Sequence, residues 1–243
     1  MVWEKTEDQA PRGILWDACT EELNRVTSEW EKDPRAVAEM LLREWRELPQ
    51  REKIRVGFRM GEDAYRVTLS RLLCAMEDTS RKIPHPRGFF TEHEDRCAAM
   101  TEVGHLLPLL ESEIQALREG VALYGRVQTA LRELLAALMQ VEARWTLFLS
   151  RVGNDAPWGE RLPLQVLREE RARVEGRMGE ISAFCDGVSH FCQNTWTTFC
   201  LEISKAADIA HKGDGAQIGV LLQVLGAFRG AVDRLPLVPE SIQ

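Results

Sequence analysis

Two short patterns in the chain have the right chemistry to hold a metal. Glu102-x-x-His105 and Asp208-x-x-His211 each set a carboxylate three residues before an imidazole, the spacing with which helical bundles bind paired iron or manganese ions. An antiparallel hairpin reversing near Trp158 brings His105 level with His211. Against a site, all four side chains fall on the outer side of the apolar stripe described below, and two further inward carboxylates cannot be assigned. Glu102, His105, Asp208 and His211 are therefore expected to be surface or capping residues, with no metal and no cofactor.

Cys185, His190, Cys192 and Cys200 invite a zinc reading. Cys185 and Cys192 are one heptad apart, about 10 Å along a helix, too far for one tetrahedral ion with bonds near ~2.3 Å. They read as small apolar fillers of a core. His93 and Cys97 form a two-ligand half site with no second pair to complete it. Gly213, Gly215 and Gly219 look like a phosphate-cradling loop, but such a loop follows a strand and this one joins two helices. No serine, histidine and acid arrangement or nucleotide fingerprint is visible, so the expectation is a protein that is not an enzyme.

The elements that position these residues are helices. Val103, Leu107, Leu110, Ile114, Leu117, Val121, Tyr124, Leu131, Leu135, Leu138, Trp145, Leu149 and Val152 recur at alternating steps of four and three, interrupted only by Gln128 and Glu142. A repeat of 3.5 residues keeps facing the same partner along a supercoil, which predicts one long helix over Val103–Val152. At the interruptions, Val127 and Val141 are expected to take over the contact. Pro108 is expected to bend the helix. After a breaker-rich reversal at Gly153–Pro163, Leu167, Val174, Met178, Ile181, Cys185, Val188, Cys192, Thr195 and Phe199 repeat the rhythm to about Ala210, with Arg171 as the one charged intruder. Two such helices joined by a short loop pack antiparallel. Ile218, Leu221, Leu225, Phe228, Val232 and Leu235 give a last helix that folds back on them.

Upstream, Trp16, Cys19, Leu23, Val26 and Trp30 predict a helix over Gly13–Lys32, and Asp33-Pro34 starts another, Asp as N-cap and Pro at the first helical position. Ile54, Val56, Phe58 and Met60 alternate like a strand, but with no pairing partner this piece reads as a helix start or a connector, followed by a helix over Glu62–Ser80. Pro84, Pro86 and Gly88 mark a hinge. The fold expected is an all-α, elongated helical bundle on a long antiparallel coiled-coil hairpin, with an N-terminal helical cluster at 1–83 and the hairpin plus C-terminal helix at 91–243.

A formal net charge of −7 and a pI near 5.4 set the chain against nucleic-acid phosphates, which call for a basic face. The 14 residues of Gly215–Phe228 form the longest uncharged apolar run, short of the ~20 that span a bilayer. Met1–Pro11 has neither a secretory nor a mitochondrial signature, so the six cysteines are expected to be reduced thiols in the cytoplasm. The functional expectation is a non-enzymatic interaction or scaffold subunit of a complex, binding other proteins or a second copy of itself. Trp16, Trp30, Trp45, Trp145, Phe148 and Trp196 are its candidate docking residues. The alternatives are a peripheral membrane protein of helical-dimer type, for which Arg51, Lys53, Arg55 and Arg59 offer a basic patch, and a bundle-type metal enzyme.

Overall fold

A computed structural model describes residues 28, 30, 32–83, 93–152, 164–211 and 217–239. These form α1 (Pro34–Arg46), α2 (Gln50–Lys82), α3 (His93–Val152), α4 (Leu164–His190), a π-helical turn (Phe191–Thr195), α5 (Trp196–His211) and α6 (Gln217–Val232). No strand occurs among the described residues. The fold is all-α and rests on two long antiparallel helices, the 60-residue α3 and the run of α4, π turn and α5. Contacts group the chain into unit 1, Met1–Pro49 with Leu134–Arg173, and unit 2, Gln50–Glu133 with Val174–Gln243. Of the hinge expected at Ser80–Phe90, the part that carries Pro84, Pro86 and Gly88 lies outside the described residues.

In unit 1, α1 begins as its sequence dictates. Asp33 accepts a hydrogen bond from the Ala36 N–H at 3.1 Å and Pro34 follows it, so one orphan donor is satisfied and a ring with no N–H occupies a position that needs none. Of the helix expected over Gly13–Lys32, only residues 28, 30 and 32 are described, and they are helical. The buried residues are Trp30, Ala38, Leu41, Leu42 and Leu48, with Leu134, Leu138, Val141, Trp145 and Phe148 of α3 and Leu167 of α4. Trp30 meets Phe148 edge to face at 6.1 Å, a geometry that places positive ring edge on negative face. Arg144 donates to both oxygens of Glu44, at 2.8 and 2.7 Å. Trp45 Nε1 donates to Glu170 at 2.8 Å.

In unit 2, α2 is a single helix through the stretch that alternates in sequence. Ile54, Phe58, Gly61 and Tyr65 are buried at steps of four, three and four, while Val56 and Met60 stand exposed on the opposite face. Gly61 hid the helical period, because an apolar count skips it. Its missing side chain is what lets the Tyr124 ring in: a Cβ there would lie 2.7 Å from Cε2 and 2.9 Å from Cζ of that ring. Phe58 and Phe184 meet Tyr124 edge-on at 5.9 and 5.0 Å, and Tyr65 meets Phe184 at 5.1 Å. The last helix α6 folds back on α5 and α2, burying Ile218, Leu221, Leu225, Phe228 and Val232 as their spacing predicts. Beyond it the Tyr65 hydroxyl donates to the Pro236 carbonyl at 2.8 Å.

The seam of α3 follows half of the predicted stripe. Val103, Leu110, Leu117, Tyr124, Leu131, Leu138 and Trp145 are buried, one per heptad. Ile114 is buried as predicted; at the other intermediate positions burial falls on Leu106, Gly120, Val127, Leu134, Val141 and Phe148, each one residue before the stripe positions of Leu107, Val121, Gln128, Leu135, Glu142 and Leu149, which are half-buried. Val127 and Val141 do take over at the two interruptions. Gln128 and Glu142 are used across the hairpin instead. Gln128 donates to Ser182 at 3.0 Å, and Glu142 accepts from Arg168 and Arg171 at 2.9 Å each. The charged residues that interrupt the two stripes thus pair with each other, which removes the cost of placing either alone beside a core. The helix α3 continues through Pro108, a position on its exposed side.

Candidate functional site

Unit 2 carries a groove of about 580 Å³ between the π turn with α5 on one side and α6 on the other. Its apolar wall is Phe199, Val224, Ala227, Phe228 and Ala231, and its polar rim is His190, Asn194, Thr195, Thr198, Glu202 and Gln223. Phe199 and Phe228 stack at 4.2 Å with 21° between their planes, and Phe191 stacks on Phe228 at 5.6 Å. The alanines on α6 leave space where larger residues would close the helices together.

The π turn sets which residues reach this groove. The Trp196 N–H bonds to the Phe191 carbonyl five residues back, and the extra residue in the turn shifts the buried face by one. Up to the first residue of the turn Ile181, Phe184, Val188 and Phe191 are buried; from its second residue on, Cys192, Phe199, Ile203 and Ala206. An unbroken heptad would have turned 198, 202 and 205 inward. The shift leaves Thr198 and Glu202 for the groove's rim. Arg118 of α3 steadies the turn by donating to the Cys192 carbonyl at 2.9 Å, and Thr197 donates to the Gln193 carbonyl at 2.5 Å. Such turns occur frequently at functional sites.

Two polar groups at the rim have partners. Asn194 Nδ2 lies 2.8 Å from His190 Nδ1, so the amide and the imidazole are hydrogen-bonded to each other. Lys205 donates to Glu202 at 2.8 Å, so the carboxylate has its countercharge beside it. Cys192 is buried and Cys185 and Cys200 are half-buried. Burial raises the pKa of Cys192 despite the opposing Arg118, burial raises Cys185 with help from Asp186, and burial raises Cys200 with help from Glu111.

The residues singled out in the sequence lie elsewhere. Glu102 is half-buried and pairs with Lys82 at 3.7 Å, while His105 and Asp208 are exposed; the His211 side chain lies outside the described residues, as does that of His93. The hairpin register sets 118 against 192, 128 against 182 and 142 against 168. On this register His105 is level with a position near 205, about six residues short of His211 and roughly 9 Å along the axis. The two patterns are thus not level with each other. Among the described residues no group of three or more His, Cys, Asp or Glu side chains could hold a metal ion.

Of the six candidate docking residues, Trp30, Trp145 and Phe148 form the core of unit 1 rather than a surface. Trp45 and Trp196 are half-buried, Trp45 on Glu170 and Trp196 against Phe199 and Phe228 at 5.6 and 5.9 Å. Trp16 lies outside the described residues. The groove itself went unread, because its lining depends on the π turn; the one signal available was Ala227 and Ala231 spaced on α6 opposite Phe199. Among the described residues no helix is long and apolar enough to cross a membrane. Comparison with protein families, curated proteins and solved structures gave no match for this chain.

Proposed function

We propose that this chain is a non-enzymatic interaction subunit that docks an acidic amphipathic helix of a partner protein on the outward face of α2. The observation that carries the reading is a stripe of Val56, Met60 and Val67, exposed by 47%, 54% and 49%, at helical steps of four and seven. Exposed apolar residues that line up along one helix face suit a helix partner. The surrounding charge favours an acidic one: residues 51–71 hold six basic and three acidic side chains in a chain that is acidic as a whole. Arg59 lies between Val56 and Met60 in sequence and has no ion-pair partner among the described residues.

The same ion pairs argue against the membrane alternative. Lys53 pairs with Glu133, Arg55 with Glu52, Arg66 with Glu62 and Arg71 with Glu113, which leaves exposed Arg59 beside the stripe; a single arginine suits an acidic helix laid along Val56, Met60 and Val67 better than a headgroup surface, which is bound by clusters of basic residues. The test uses a synthetic Leu/Glu amphipathic helix and anionic vesicles against the full chain. The peptide should bind, and Met60→Glu should weaken it at least about tenfold with the melting temperature unchanged, the change lying at an exposed site. Peptide binding that ignores Met60→Glu, or chain that sediments with the vesicles and not with the peptide, would overturn the reading.

A further inference from the structure

We infer that the α5–α6 groove is a binding site for a small uncharged amphiphile, an aliphatic body carrying one hydroxyl head. The inference is independent of the partner face on α2. Its first ground is size and lining: about 580 Å³ walled by Phe199, Phe228, Val224, Ala227 and Ala231 falls within the roughly 300–1,000 Å³ of small-molecule sites, which are likewise apolar with a few placed polar groups. With water's share of liquid volume about 30 Å³, the space suits a ligand on the order of 15 heavy atoms.

The second ground is the rim. His190 Nδ1 lies 2.8 Å from Asn194 Nδ2, which orients the imidazole and leaves Nε2 as a polar group at the rim of the groove. Thr195, Thr198, Asn194 and Gln223 add neutral donors and acceptors. A hydroxyl both donates and accepts, so this set satisfies it in full. A charged head gains nothing here. An anion meets the carboxylate of Glu202, and a cation finds that carboxylate already taken by Lys205 at 2.8 Å; either would lose hydration without a free countercharge. The third ground is local backbone. The π turn displaces Thr198 and Glu202 from the buried face to the rim and is held in that state by the Arg118 guanidinium, so the groove's polar end is built by the fold.

Isothermal titration of the full chain with 1-decanol, decanoate and decyltrimethylammonium, each below its aggregation concentration, tests the assignment. Decanol should bind one to one and saturably, at least about tenfold tighter than either charged analogue. Ala227→Trp, which fills the groove, should abolish binding with helicity retained by circular dichroism; Ala231→Leu, a smaller intrusion, should weaken it and serves if the tryptophan variant does not fold. His190→Ala should cost about three- to tenfold, the effect of one hydrogen bond. Absence of saturable decanol binding, binding indifferent to both alanine variants, or preference for a charged head would each overturn the proposal.

Discussion

The two units cover the same long helix α3 by different means. In unit 2 a glycine on α2 removes its own side chain so that the Tyr124 ring can press against the backbone at Gly61, and the neighbours Phe58 and Phe184 lock it edge-on. In unit 1 bulk meets bulk, Trp30 against Phe148 and Trp145 against Phe148, and polar latches at the periphery, Arg144 to Glu44 and Trp45 to Glu170, fix the helices. The first arrangement tolerates no added atom at one point. The second depends on several contacts, each of which is worth little alone.

The largest effect tests the seam that both arrangements share. Leu134 is buried and Leu135 half-buried, so Leu134→Asp should cost about 4 kcal/mol or more by burying an unpaired charge, and Leu135→Asp less than half of that. Denaturant melts of the two variants measure it; equal losses would place the seam back on the heptad stripe expected from sequence.

A smaller effect separates the units. Gly61→Ala should destabilise by about 1–2 kcal/mol, the strain of overpacking outweighing the ~1 kcal/mol that alanine gains in a helix. Tyr124→Leu should relieve the clash, so the double variant should lose less than the two single losses added together. In unit 1, Trp45→Phe should cost about 1 kcal/mol through its lost hydrogen bond. If Trp45→Phe proved the more damaging, the contrast between close approach and latch would fail.

The smallest effect is nil below pH 10. Both tyrosines of the chain belong to unit 2. Burial pushes the Tyr65 hydroxyl up to about 12, and burial, followed by the Glu62 charge, raises Tyr124 as well. A folded-state pKa above the unfolded one means that stability is fully present below pH 10 and is lost as pH rises toward 12. Ultraviolet titration should show no tyrosinate near pH 10 and a cooperative rise above it; a rise at the ordinary value would mean that the rings are not enclosed.

How much of this was legible follows from which signals are additive along a chain. The seven-residue repeat of α3, the Asp33-Pro34 start and the stripe of α6 depend on side chains that each mark their own position, and all three appear in the structure. The hairpin register missed by about six residues at His105 because a breaker-rich loop says where a chain turns only to within a few residues, and a turn of helix is all that separates facing from not facing. Gly61 was read as a gap because its role is to be absent. The π turn at Phe191–Thr195 has no marking residue; its Cys192 carbonyl is met by Arg118, 74 positions away, and the turn supplies one rim of the candidate groove.

The discontinuity of the units bears on the order in which the chain can fold as it is made. Unit 1 needs Trp30 and Phe148, so it can close once Arg173 has been synthesised. Unit 2 needs Tyr65 beside Pro236 and α2 beside α6, and must wait for both to be made. Until α6 emerges, the stacked rings of Phe191 and Phe199 lack Phe228, and that apolar surface is open to other chains at the ribosome. Unit 2 can thus close only once α6 has been made, through contacts of high sequence separation that form slowly.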